Sequence, residues 1–209
     1  MSDMKLFAIL PGLLLLCVAA VPGCLDLSAS PPLNSLGSSL QQARGAEVIG
    51  DYSSASHYYS KALEFDPGNS SALLGKSHAL IVRKQYGEAL NTSLRARAAA
   101  PESPLPIVYE GVALDSLGRH QEAVQAFADA LAIDPNLTYA RNLQTVAIAG
   151  GELDRNPENA SAWFTAGSAY YSLDLNGSYL QPNARTMYRY MALADLRNAT
   201  RLNPDNGVA

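Results

Sequence analysis

The 209 residues contain only two cysteines, Cys17 and Cys24, and both fall within the first 24 positions. Any domain beyond them has neither a disulfide nor thiolate chemistry, and packing alone must hold it together. Charge is also sparse. Charged residues make up 16% of the chain and the formal charge is −4, so the basic excess that nucleic acid demands is missing. The three histidines, His57, His78 and His120, are scattered and lack the His-x3-His spacing of a metal site. There is no glycine-rich phosphate loop and no Gly-x-Ser-x-Gly elbow. Acidic pairs such as Glu47 and Asp51 read as solvated helix-surface charge. With no catalytic constellation, the sequence predicts a protein that is not an enzyme and uses no metal or other cofactor. Hydrophobic residues at 48% argue against general disorder.

The amino terminus carries an address. Leu6 to Ala20 is a 15-residue apolar run broken only by Pro11 and Gly12. That is the length of a signal-peptide core and is short of the roughly 20 residues a bilayer span needs. Val21-Pro22-Gly23-Cys24 follows and resembles a lipobox, although Pro22 stands where a small residue is usual. Two outcomes stay open: lipidation at Cys24, which closes the lipobox-like leader of residues 1–24 and becomes the first residue of the mature protein, or an uncleaved anchor. Both place the rest outside the cytoplasm, tethered to the outer face of the cytoplasmic membrane; release as a secreted protein is the further alternative. Six asparagines open Asn-x-Ser/Thr sequons with no proline in the middle: Asn69, Asn91, Asn136, Asn159, Asn176 and Asn198. This exceeds what the serine and threonine content gives by chance and predicts glycosylation in an envelope. The competing explanation is that asparagine and serine recur where helices are capped.

Beyond a linker at 25–34, the chain repeats. Pro67, Pro101 and Pro135 are spaced 34 apart, and each closes a helix-like stretch (SKALEFDP, LRARAAAP, ADALAIDP). Five residues before each proline stands Ala62, Ala96 or Ala130, and twelve before stands Ala55, Ala89 or Ala123. Gly50, Lys84 and Gly118, seventeen before, mark the turn between two helices. Small residues recur where paired helices approach, large ones such as Tyr59, Leu114 and Phe127 fill the space between pairs, and proline ends the second helix. Three copies in strict register resemble the tetratricopeptide repeat, over roughly residues 35–204.

The resemblance implies an all-α, right-handed solenoid of antiparallel helix pairs at 35–209. Its units run 35–69, 70–103, 104–137, an abbreviated 138–159, and 160–209. The fourth unit is expected to keep a helix from about Thr138 to Ala149 and to break at Gly150-Gly151. In the fifth, Gly167 to Ala192 spans 25 residues where Gly111 to Ala123 spans 12. The surplus of 13 is expected to form a loop near 174–185.

In such solenoids the first helix of each pair lines the concave face. Register places Leu74, His78 and Ile81 there, then Leu105, Val108 and Val112, then Tyr139, Asn142 and Val146, then Phe164 and Tyr171. This stripe is mostly apolar and lacks the charges by which related proteins clamp a terminal carboxylate, so it suits a peptide or protein segment. Arg185, Arg189, Arg197 and Arg201 form a basic stripe on the last helix, read as a solvated cap or as a contact for acidic partners or lipid head groups. Two roles remain open: a non-catalytic protein-binding or scaffolding module, or a passive glycosylated spacer without a dedicated ligand.

Overall fold

The computed structural model describes residues 35–176 and 182–204. They form nine α-helices and no strand: α1 (Leu36–Val48), α2 (Tyr52–Phe65), α3 (Ser70–Val82), α4 (Tyr86–Ala99), α5 (Pro104–Ser116), α6 (His120–Ile133), α7 (Thr138–Arg155), α8 (Ala160–Asn176) and α9 (Pro182–Leu202). Each helix packs on the next, as expected of an all-α solenoid. The leader with Cys24 and the 25–34 linker lie outside the described residues.

Local chemistry sets the boundaries. Asp51, Asn69 and Asn159 each accept a hydrogen bond from the backbone N–H three residues on, at 3.0, 3.0 and 3.1 Å, which satisfies an orphan donor of the following helix. Gly50, Lys84 and Gly118 adopt left-handed backbone, with φ of 78°, 60° and 75°. At each turn the following N–H reaches back to a carbonyl near the end of the preceding helix: Asp51 to Ala46, Gln85 to Leu80 and Arg119 to Leu114, all at 2.9 Å. Lys84 thus occupies a position where its neighbours in register are glycines.

The six register alanines, Ala55, Ala62, Ala89, Ala96, Ala123 and Ala130, have no solvent exposure. In the third unit Gly111 of α5 lies against the Phe127 ring of α6. One period earlier the same two places hold Ser77 and Ser93, whose hydroxyls hydrogen-bond to each other in the core. There a polar pair fills a site that an aromatic ring fills in the next unit.

The fourth unit is a single helix. It does not break at Gly150-Gly151: α7 runs through both to Arg155. Gly150 serves close approach instead, because a Cβ there would come within 2.8 Å of the His120 ring. The missing partner helix has a visible cause. The face that α5 presents to α6, Ile107, Gly111 and Leu114, is buried. Its counterparts 34 residues on are Arg141, Thr145 and Ile148, none of them buried, so nothing drives a second helix onto them. In the last pair Gly167 meets Leu196, which confirms the register across the insertion. Of the expected loop at 174–185, residues 174–176 and 182–185 are helical. Helix α8 has 17 residues where α5 has 13, and α9 has 21 where α6 has 14. Both flanks of the expected loop are therefore helical, and only 177–181 fall outside the described residues.

Candidate functional site

Successive first helices touch one another (α1 with α3, α3 with α5, α5 with α7), whereas successive second helices do not. The first-helix side is therefore the inner face of the curved stack. A chain of polar and aromatic groups links its helices. Glu47 of α1 accepts a hydrogen bond from the Tyr59 hydroxyl at 2.8 Å and lies 3.0 Å from Nδ1 of His78 on α3. The Tyr109 ring of α5 stacks on His78 with centroids 5.8 Å apart, and Tyr52 meets the imidazole edge-on at 5.7 Å. Farther along, the hydroxyls of Tyr139 on α7 and Tyr188 on α9 are 3.1 Å apart, and Tyr170 stacks on Tyr188. Burial pushes the phenols of Tyr59, Tyr139, Tyr170 and Tyr188 up and raises that of Tyr109 to about 12. All stay neutral at physiological pH, so they are packing and hydrogen-bonding groups.

This arrangement corrects the expected apolar stripe. Val108 is fully buried and Val146 is 6% exposed, so both belong to the core and line no open groove. Val112 and Tyr139 are half-buried against that same core, and the Tyr139 hydroxyl is already engaged by Tyr188. Leu74, His78, Ile81 and Asn142 are half-buried, while Leu105 and Tyr171 are exposed. Phe164 stands apart from Tyr139. It lines a cleft of about 560 Å³ at the carboxyl end with Leu193, Leu196, Arg197 and Arg201. Those two arginines and Arg189 are exposed, and the Arg185 side chain lies outside the described residues.

A different concavity lies where α5 and α6 meet α7, α8 and α9. This cleft of about 280 Å³ has apolar walls from Leu153, Trp163, Tyr170 and Met191 and polar groups from Asp115, His120 and Asp195. His120 is held between two carboxylates, Asp115 at 2.6 Å from Nδ1 and Asp154 at 3.4 Å from Nε2. Trp163 is fixed by its indole N–H, which donates to the Pro157 carbonyl at 2.8 Å. Burial raises the Asp115 carboxyl against the opposing pull of His120, and burial alone pushes Asp195 up to about 6. Sequence reasoning missed this site because its residues come from five helices and are spread over 80 positions, from Asp115 to Asp195. The available signal was Gly150, a glycine inside a helix that must lie under a neighbouring side chain. Among the described residues no group of three or more His, Cys, Asp or Glu side chains could hold a metal ion, and no helix is long and apolar enough to cross a membrane.

The sequons divide by environment. Asn69 and Asn159 spend their side chains capping α3 and α8, whereas Asn91 and Asn136 are exposed and Asn198 is half-buried. The Asn176 side chain lies outside the described residues.

Comparison with known proteins agrees with the geometry. Family models described as "Tetratricopeptide repeat" match residues 50–106 and 110–137. Tetratricopeptide repeat protein 28 of Mus musculus is 41% identical over 96 residues, 46% of this chain and 4% of that protein. Small glutamine-rich tetratricopeptide repeat-containing protein 2 of Mycosarcoma maydis is 29% identical over 111 residues, 53% of this chain and 30% of that one. This chain thus spans only a small part of these relatives. Among solved structures, the first tetratricopeptide domain of human RPAP3 superposes with a TM-score of 0.56 at 19% identity, over 60% of this chain and 98% of that one. YrrB, described as a tetratricopeptide protein with an unusual peptide-binding site, gives 0.53 at 24% identity, over 83% and 89%. Repeat period, helix pairing and the glycine–aromatic contacts converge with these likenesses, and the chain carries tetratricopeptide repeats over residues 50–106 and 110–137.

Proposed function

We propose that this chain is a non-catalytic interaction module, tethered through its amino terminus at the outer face of the cytoplasmic membrane, and that it holds a segment of another protein on its inner face. The repeat fold points to protein partners, since stacked helix pairs create an extended concave surface. One observation carries the choice of place: the cleft beside Trp163 is open and joins apolar walls to carboxylates. The tether rests on the apolar run Leu6 to Ala20 and on the lipobox-like Val21-Pro22-Gly23-Cys24 that follows it. Metabolic lipid labelling that is lost in Cys24→Ala supports it, and equal labelling of both proteins favours an uncleaved anchor.

The test of binding is affinity purification from solubilised native membranes, comparing wild type with Ala194→Trp. Ala194 lines the cleft and is exposed, so a bulky ring there fills the cleft without entering the core. A partner recovered with wild type and with the outer-face control Gln125→Trp, but lost with Ala194→Trp, is the expected result. Equal recovery with both variants overturns the placement. The spacer reading gains from the burial of Val108 and Val146, which removes much of the apolar stripe. It predicts that no protein is recovered in stoichiometric amount with any of the three.

A further inference from the structure

We propose that the cleft between α7, α8 and α9 is a receptor for one arginine side chain of the bound segment. The inference rests on the reading that the inner face binds protein, and it names the chemistry recognised there. Size comes first. At about 280 Å³ the cleft falls at or below the roughly 300–1,000 Å³ of small-molecule sites, and it suits a single long side chain entering from the open rim. Composition comes second. Trp163 and Tyr170 contribute aromatic walls, while Leu153 and Met191 can cover the methylene stem. A planar guanidinium stacks on aromatic surface and forks onto carboxylates, which a compact ammonium does less well.

Charge balance is the third and most telling observation. The titratable groups at the cleft are Asp115, His120, Asp154, Asp195 and the neutral phenol of Tyr170. Asp115 and Asp154 share His120, whereas Asp195 has no hydrogen-bonding or ion-pairing partner among the described residues although it is half-buried. Desolvation alone raises its carboxyl, which marks a charge held without compensation. Near the cleft Arg119 pairs with Glu122 and Arg155 donates to the Gly151 carbonyl, while Arg197 and Arg201 of α9 line the other cleft, beside Phe164. A guanidinium entering from outside would supply the missing counter-charge to Asp195.

Trp163 is the sole tryptophan of the chain, so its fluorescence reports directly on the cleft. The full chain is titrated with acetyl-Ala-Ala-Arg-Ala-Ala-amide and with the same peptide carrying citrulline, the neutral isostere of arginine. The arginine peptide should give a saturable change, and citrulline should bind at least about tenfold more weakly, as expected for loss of a charge-assisted pair. Asp195→Asn should reduce that preference to less than about threefold with helicity unchanged. Asp154→Asn, altering a carboxylate that is 65% exposed, is a second variant that leaves the core alone and should lower the preference partway. Equal responses to the two peptides, no saturable response to either, or a preference that survives Asp195→Asn overturns the proposal. If the peptides fail while Ala194→Trp still abolishes partner recovery, only the arginine assignment falls and the inner-face reading stands.

Discussion

Replacing Gly111 with alanine sets two effects of opposite sign against each other, and the geometry decides between them. A Cβ at Gly111 would lie 2.6 Å from Cε1 of Phe127 and 2.9 Å from both Cδ1 and Cζ. Phe127 has no solvent exposure and is enclosed by Ile107, Val108, Leu114 and Ala123, so the ring cannot rotate away without moving its neighbours. Overpacking of this kind costs about 1–3 kcal/mol. Alanine in place of glycine within a helix returns up to about 1 kcal/mol. The net expectation is a destabilisation of about 1–2 kcal/mol. Gly45 in α1 is the control: nothing lies within 4 Å of its Cβ position, so only the helix term operates and Gly45→Ala should stabilise by about 0.5–1 kcal/mol. Urea melts of the full chain followed by far-UV circular dichroism measure both, through shifts in midpoint at constant slope. A Gly111→Ala protein as stable as wild type, or a shift of the same sign in both variants, would refute the packing argument.

Lys84 holds left-handed backbone where the neighbouring units use glycine, so Lys84→Gly should stabilise by about 0.5–1 kcal/mol in the same melts. Asp195 has its folded-state carboxyl pushed up to about 6 from an ordinary 3.8, so the native state binds the proton more tightly than the unfolded one, and stability falls as pH rises from about 4 to 6. Asp195→Asn removes this cost and, allowing for partial solvent screening, should stabilise by about 1–2 kcal/mol at pH 7 but hardly at all at pH 4. The same difference at both pH values would contradict the assignment. If the protein is glycosylated, mass spectrometry of the native material should find glycans at Asn91 and Asn136 before Asn69 and Asn159, whose amides cap helices.

The features legible in the sequence are those that repeat. The 34-residue spacing of Pro67, Pro101 and Pro135 fixed the helix pairs, and the alanines in register with them are the buried contact residues. The surplus of 13 residues in the last unit was also countable, and the Gly167–Leu196 contact agrees with it. Its form was not legible: Asn176, Pro182 and Asn183 read as loop residues, yet most of the added length went into extending α8 and α9. Gly150 and Gly151 were misread for a related reason, because glycine signals close approach as well as a break, and only the position of His120 distinguishes the two. The inner stripe failed where tertiary contacts intervene. Register alone cannot show that Val108 and Val146 would be covered or that Tyr188 would reach Tyr139 across the curvature of the stack. The cleft depends on Asp115, Trp163 and Asp195, which no local pattern connects.

The central claim is that recognition occurs on the inner face, at the cleft. Photo-cross-linking in the native membrane tests it most directly, with a photoreactive residue at Leu153, on the cleft wall, or at Gln125, on the exposed side of α6. The expected result is one discrete protein adduct from position 153, mapped by mass spectrometry to a segment containing an arginine, with none from position 125. Adducts of equal yield from both positions, or from 125 alone, would contradict it.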